Sequence, residues 1–103
     1  MSDSLEPDRA TELVLDVPEA SRYELRIGDA TIGRADYWID GDVMVISHVE
    51  TRRAHRGVGN AARLMDGVIA DARRRGMRIR PICSYAAAHL RQHPEREDVV
   101  ASR

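Results

Sequence analysis

The segment AHRGVGNAARLMDGVIADARRRG, residues 54–76, is the most informative part of the chain about its fold, because the hydrophobic period changes within it. It starts with a turn containing Gly57 and Gly59, and it continues with apolar residues at the i, i+3, i+4, i+7 spacing of an amphipathic helix. The apolar stripe consists of Ala61, Leu64, Met65, Val68, Ile69 and Ala72. Three arginines then complement the negative end of the helix dipole, and Gly76 is a typical residue just past a helix end. The segment therefore predicts a tight turn followed by a helix that begins near residue 60.

Before this segment the pattern is that of β-strands. Alternating or continuous apolar residues occur in ELVLDV (12–17), SRYELRIGD (21–29), TIGRADYWI (31–39) and DVMVISHVET (42–51). Asp40-Gly41 is a strong signal for a β-hairpin turn. The last of the four segments is apolar on both faces, which is typical of a central strand. The first half of the chain therefore predicts an antiparallel β-meander.

After the helix, MRIRPIC (77–83) predicts a further strand, with Pro81 at a bulge or an edge. Ser84 is expected to cap a second, short helix over YAAAHLRQH (85–93), which Pro94 ends. The tail is expected to pack only through Val99 and Val100. Because a strand–helix–strand unit requires a parallel strand pair, the predicted fold is α+β with a mixed sheet. Residues 1–11 are expected to be a flexible tail, and residues 12–100 a single domain.

Composition limits the functional classes. The chain has 103 residues, enough for one small core, and its single cysteine excludes an intramolecular disulfide framework. No apolar run is long enough to cross a membrane, so a cytoplasmic protein without membrane contact is expected. The formal net charge is −1, which argues against a dedicated nucleic-acid-binding protein. The arginine-rich half, with 10 arginines and two acidic residues in 51–91, keeps nucleic-acid binding as a weaker alternative.

The turn RGVGNA, residues 56–61, is a candidate anion-binding site. It lies where a strand leads into a helix, so free backbone N–H groups and the helix dipole both favour a negative charge. Glycines at this position leave room for a phosphate to approach the backbone. The Lys-Ser/Thr pair of a P-loop and the third glycine of a dinucleotide fingerprint are missing. The glycines alone are equally compatible with a purely structural turn.

Arg56-x-x-Gly59-x-Ala61 resembles the Q/R-x-x-G-x-G/A motif of the GCN5-related N-acetyltransferases (the GNAT family), and the predicted element order agrees with that fold. Further motifs resemble a minimal, single-domain branch of the family: Arg22-Tyr23-Glu24-Leu25, Asp36-Tyr37, His48-Val49-Glu50, Pro81-Ile82-Cys83 and Arg91-Gln92-His93-Pro94. The resemblance spans about residues 20–98. It departs from the family at Asn60, where an aliphatic residue is usual, at Glu50-Thr51-Arg52-Arg53, where a proline-containing turn is common, and at Ser84, where proline is frequent. Asn60, a poor helix former, is expected to loosen the first helical turn.

The resemblance implies that acetyl-CoA is the cofactor and that the strand ending near residues 49–51 splays away from the strand over 77–83. Backbone amides of residues 49–51 would then face the thioester, and the glycine turn would bind the pyrophosphate. Arg91 is expected to reach a phosphate, and His93 to close the second helix near the cofactor. The predicted cofactor-binding residues are Val49, Thr51, Arg56, Gly57, Val58, Gly59, Asn60, Ala61, Arg91 and His93.

Three residues are candidates for the chemistry. Cys83 could be a nucleophile, a proton donor to the leaving thiolate, or a small buried apolar residue. His48 and Glu50 share one face of their strand, so either could be the general base, or else a structural histidine and a rim charge. His89 and His93 have a zinc-compatible i, i+4 spacing, but no third ligand is placed to complete a site, so no metal is expected.

Two main functional hypotheses follow. In the first, the protein transfers acetyl from acetyl-CoA to an unidentified amine by direct attack. In the second, it is a non-catalytic CoA- or acetyl-CoA-binding module, because so short a chain leaves little material for an acceptor pocket. The acceptor and the oligomeric state are open at this stage.

Overall fold

A computed structural model describes residues 12–101, in which the change from sheet to helix occurs where the hydrophobic period changes. The strands are β1 (Glu12–Val17), β2 (Arg22–Ile27), β3 (Ala30–Asp40), β4 (Val43–Thr51) and β5 (Arg78–Pro81). The helices are α1 (Asn60–Arg74) and α2 (Ser84–Arg91), and short 3-10 turns span Pro18–Ala20, Arg53–His55 and Pro94–Val99. The flexible tail predicted for residues 1–11 lies outside the described residues. No helix in the described part of the chain is long and apolar enough to cross a membrane.

The five strands form one sheet in the order β1-β2-β3-β4-β5. The first four strands are antiparallel neighbours, and β5 pairs with β4 in parallel, from Val43 opposite Arg78 to Ile46 opposite Pro81. The mixed sheet, the meander and the strand–helix–strand crossover confirm the predicted α+β fold. Only the first half of β4, as far as Ile46, has a paired strand on both sides; its second half pairs with β3 alone.

Both helices pack on the same face of the sheet and share one core. The predicted α1 stripe is confirmed, because Leu64, Met65, Val68, Ile69 and Ala72 are all buried. They pack against apolar residues of the strands, of α2 and of the C-terminal segment; the buried ones are Tyr23, Leu25, Ile32, Ala35, Tyr37, Met44, Ile46, Ile79, Ala86, Leu90 and Val99. The opposite face of the sheet carries charged side chains.

The C-terminal elements are shorter than the sequence pattern predicts. The N–H groups of Ile82 and Cys83 both donate to the carbonyl of Ile46, at 3.0 and 3.1 Å, and this draws the chain away from the sheet after Pro81. Cys83 rather than Ser84 is therefore the N-cap of α2, and Ser84 is its first helical residue. The tail does pack through Val99, which is buried, and Val100, which bridges to Ile79.

β4 contains one extra residue relative to β3. Asp36 lies opposite His48 and Tyr37 lies opposite Ile46, so Ser47 is left over as a β-bulge. Before the bulge, even-numbered β4 residues such as Ile46 face the helices; after it, odd-numbered residues do. The bulge thus determines which side chains and which backbone groups of the last β4 residues face each side.

Candidate functional site

A cleft opens where β4 and β5 separate. Their pairing stops at Ile46 and Pro81, and β4 residues 47–51 have no partner on the β5 side. The cleft has a volume of about 430 Å³, within the range of small-molecule sites. The residues that line it come from the end of β4, the glycine turn and the first turn of each helix: His48, Val49, Glu50, Thr51, Arg56, Ala61 and Tyr85. The splayed strands expected from the sequence are therefore present.

The backbone of β4 presents polar groups to this cleft. The N–H of Arg52 donates to the carbonyl of Ile32 on β3, at 2.8 Å. Since backbone groups alternate sides along a strand, those of Val49 and Thr51 point away from β3 and towards the cleft. The carbonyl of Thr51 accepts from Arg56 Nε there, at 3.1 Å. Of the three amides predicted to face the cleft, the geometry thus selects Val49 and Thr51.

The glycine turn forms an open cradle of backbone N–H groups. Gly57 and Gly59 have φ values of +80° and +87°, a conformation that favours glycine, and Gly59 is the N-cap of α1 without any side-chain cap. Within residues 12–101, no acceptor bonds the N–H groups of residues 57–62; the first helical bond runs from Arg63 N–H to Gly59 O, at 3.1 Å. A Cβ on Gly57 would meet no atom within 4 Å, so the space beside the turn is free.

Positive charges surround the cradle. Arg53 and Arg56 are exposed beside it, and the N-terminal end of α1 adds its partial positive charge. No acidic residue lies in the segment from 51 to 65. Glu12 does reach this region, where its carboxylate accepts from Arg63 Nε at 2.8 Å. The turn combines free donors, open space and positive charge, which is the arrangement that binds phosphate groups.

Asn60 does not loosen the first turn of α1, contrary to the expectation from its helix propensity. Its side chain is buried, and its Nδ2 donates to the carbonyl of His55 at 3.0 Å. Its Oδ1 accepts from Arg63 Nη2, and the same guanidinium group donates to the carbonyl of Val58 at 3.2 Å. Asn60 therefore connects both ends of the glycine turn and fixes its shape.

His48 and Glu50 lie together on the face of β4 opposite the helices, as their i, i+2 spacing predicts. His48 Nε2 lies 2.9 Å from Glu50 Oε1, and both side chains are exposed. The hydrogen bond from His48 and the charge of Arg34, 3.5 Å away, lower the pKa of the Glu50 carboxyl group. This carboxylate stays ionised at neutral pH, at the rim of the cleft rather than deep within it.

Cys83 and Tyr85 begin α2 at the inner end of the cleft. The Cys83 side chain is half-buried and packs against the hydrophobic core. Tyr85, which the sequence interpretation missed, lines the cleft, and its ring stacks on His89 with centroids 6.0 Å apart. Burial raises the pKa of the Tyr85 phenol, so its hydroxyl group is protonated at neutral pH and can donate. An aromatic residue two positions after the predicted strand end was the available signal.

Arg91 and His93 lie at and just beyond the C-terminal end of α2. Arg91 is six residues after Tyr85, about 9 Å along the helix axis, and it lines a separate concave surface with Leu90 and Pro94. The ring of His93 packs on that of His89, with centroids 4.5 Å apart, and its Nδ1 lies 3.4 Å from Glu95. The other predicted cofactor-binding residues, from Val49 to Ala61, border the cleft or form the turn beside it.

Comparisons with known proteins agree with this geometry. The chain is similar over 91% of its length to the solution NMR structure of a GCN5-like candidate N-acetyltransferase from Staphylococcus aureus, and it covers 92% of that chain. The TM-score is 0.64 and the sequence identity is 18%, so this likeness concerns the fold. No curated protein sequence matches. The sequence model of the GCN5-related N-acetyl-transferase family matches residues 22–99. Because that match covers most of the chain, the protein belongs to the GCN5-related N-acetyltransferase family.

Proposed function

We propose that this protein is an acetyl-CoA-dependent N-acetyltransferase that acts on a small amine. The observation that carries the proposal is the cradle at residues 57–62, whose N–H groups have no acceptor in residues 12–101 and face open space. Free N–H groups at a helix N-terminus that are open to solvent favour an anionic ligand. The pyrophosphate of acetyl-CoA fits this donor set, with the exposed Arg53 and Arg56 adding charge.

The end of β4 supplies the second half of a binding site. The backbone groups of Val49 and Thr51 face the cleft, where they would bind an amide-containing chain in the manner of an added strand. The β5 partner that would compete for them is absent after Pro81. Bound acetyl-CoA supplies the thioester acetyl group, which an amine takes up with release of the thiol.

Proton movement is assigned to groups on the two sides of the cleft. On the exposed side, His48 Nε2 and the Glu50 carboxylate form a bonded pair, 2.9 Å apart, that can take the proton of an attacking ammonium group. On the inner side, the Tyr85 hydroxyl is protonated and can donate to a leaving thiolate. Packing of the Cys83 side chain against the core favours its role as a small apolar residue over that of a nucleophile.

Thermal melts with acetyl-CoA, CoA and pyrophosphate test the cofactor. Ligand at about 100 times its Kd stabilises the folded state by roughly 2.7 kcal/mol, which is several degrees in Tm for a domain of this size. Gly57→Ala should abolish most of the shift, because it changes the left-handed conformation within the cradle. Gly41→Ala is the matched control: its φ is +65° and its Cβ also meets no atom within 4 Å, so it carries similar strain outside the cleft.

The outcomes separate the two hypotheses. A shift with acetyl-CoA that Gly57→Ala loses and Gly41→Ala keeps supports the cofactor site, and no shift with any ligand refutes it. Thiol release with a panel of amines then distinguishes a transferase from a CoA-binding module, which gives the melt shift without turnover. Retention of turnover in Cys83→Ala excludes an acetyl-cysteine intermediate.

A further inference from the structure

The face of the sheet opposite the helices carries ordered rows of charged side chains. The strand register places Arg22, Asp36 and His48 in one row across β2, β3 and β4. Glu24, Arg34 and Glu50 form the next row. In residues 12–101 both helices lie on the other face, so this charged surface, which we call the outer face, is open to a ligand. It also contains the His48–Glu50 pair at the rim of the cleft.

The outer face is concave beside the end of β4. A depression of about 240 Å³ is lined by polar groups that include Arg22, Thr31, Arg34, Glu50 and Arg52. Glu50 and Thr51 line both this depression and the cleft described above. A molecule in the depression would therefore be separated from the cleft only by the thickness of one strand end.

Positive charge dominates the depression. Arg22 is held by Glu24, which is 4% exposed and also accepts from Arg26, so two guanidinium groups share one carboxylate. Arg34 is divided between Asp36, at 3.2 Å, and Glu50, at 3.5 Å. Arg52 is exposed and has no ion pair within residues 12–101.

The unsatisfied donors belong to Arg34 and Arg52. Arg34 gives one Nη2 contact of 3.5 Å to Glu50, a carboxylate that His48 also contacts at 2.9 Å. Guanidinium groups bind carboxylates and phosphates through paired N–H donors. The depression is thus suited to a small anion, whereas the neighbouring His48–Glu50 pair is suited to an ammonium group.

We infer that the acceptor is a small amine that also carries an anionic group, either a carboxylate or a phosphate. Its ammonium nitrogen is held by Glu50 and His48, and its anion is held by Arg34 and Arg52. Glu50 and Arg52 are two residues apart on an extended chain, which separates their Cα atoms by about 7 Å, so an acceptor only a few bonds long can reach both side chains. This inference rests on the proposed function, since it names the substrate class of the same site.

Matched amine pairs test the inference by binding. Isothermal titration of the CoA-saturated protein is performed with 4-aminobutyrate against its neutral amide, and with 3-aminopropyl phosphate against 3-aminopropanol. We expect the anionic member of at least one pair to bind about ten- to a hundredfold more tightly, as one lost charged hydrogen bond implies. The pair with the larger ratio identifies carboxylate or phosphate as the preferred anion. The same preference is expected in kcat/KM for thiol release.

Substitutions locate the anion site. Arg52→Gln and Arg34→Gln should each reduce the preference at least severalfold, whereas Arg78→Gln, an exposed arginine at the start of β5, should leave it unchanged. Arg34 forms an ion pair with Asp36 on its own strand, so Arg34→Gln could lower stability, and the melting temperature of each variant is therefore measured. If Arg34→Gln is destabilised, the Arg52→Gln variant alone still tests the anion site.

Three results would overturn the inference: equal binding of neutral and anionic partners, a preference that survives both substitutions, or no binding of any of the four amines at millimolar concentration. Thermal melts with acetyl-CoA on the same samples distinguish failure of the acceptor inference from failure of the proposed function. If acetyl-CoA shifts the Tm and the amines show no preference, the acceptor class is wrong and the cofactor site stands. If acetyl-CoA gives no shift, the proposed function itself fails.

Discussion

Helix propensity and the hydrogen bonds of the Asn60 side chain predict opposite effects of Asn60→Ala on the stability of the protein. Helix propensity alone predicts that Asn60→Ala stabilises the protein by up to about 0.7 kcal/mol, because alanine is the best helix former. In the structure, however, the buried Asn60 side chain joins His55 O, at 3.0 Å, to the Arg63 guanidinium across the glycine turn. We expect the stabilisation from these hydrogen bonds to exceed the gain in helix propensity, so that Asn60→Ala is less stable than the wild type.

The magnitude follows from the bonds that are lost. Each hydrogen bond contributes about 0.5–1.5 kcal/mol net, so two contribute about 1–3 kcal/mol. With the propensity gain subtracted, Asn60→Ala should lower the free energy of unfolding by about 0.5–2 kcal/mol, at roughly 4–8 °C in Tm per kcal/mol. The shift in Tm caused by acetyl-CoA should also shrink, because Asn60 fixes the shape of the cradle.

Thermal and urea unfolding of wild type and Asn60→Ala measure the difference. Ala70→Asn, at an exposed position of the same helix, serves as the control that reports the intrinsic cost of asparagine without bracing contacts. A melting temperature at or above that of the wild type in Asn60→Ala would refute the bracing role. The departure of this chain from the family's usual aliphatic residue would then carry no structural meaning.

Two further predictions concern packing and pH. Gly67→Ala should destabilise the fold, because the new Cβ would lie 2.6 Å from the Cβ of Val14. Overpacking of this kind costs about 1–3 kcal/mol, which exceeds the gain of about 1 kcal/mol in helix propensity. A rise in Tm would contradict this prediction. Burial raises the pKa of Tyr37 to about 12 and raises those of Tyr23 and Tyr85, so phenolate absorbance at pH 10 should be lower in the folded protein than in the unfolded protein. Because these folded-state pKa values lie above the unfolded value near 10, the tyrosines' contribution to stability is complete below that pH and is lost as the pH rises through the folded values.

Local sequence patterns predict the elements of this fold but not their register. The helical stripe from Leu64 to Ala72 and the alternation of Tyr23 and Leu25 are local signals, and both are confirmed. The pairing of Glu24 with Arg22 and Arg26 is local, because alternate residues of one strand share a face, but its contact with Thr31 depends on which residues of β3 lie beside it. Tyr85 was missed for the same reason, since its place in the cleft depends on how the chain leaves β5. Arg91 and His93 came from a motif resemblance, and they lie at and just beyond the C-terminal end of α2, whereas Tyr85 at its start lines the cleft.

The bulge at Ser47 links the fold to the candidate site. Without it, the β4 alternation would continue unbroken from Ile46, and His48 and Glu50 would face the helices while Val49 and Thr51 faced outward. The ionised Glu50 would then have to be buried without its partner Arg34, which stays on the other face, and this is energetically unfavourable. With the bulge, Val49 and Thr51 direct their backbone groups into the cleft, and the His48–Glu50 pair stays on the outer face with the arginines. One inserted residue thus separates the proposed cofactor side of β4 from its proposed acceptor side, so that the two ligands would approach the strand end from different directions.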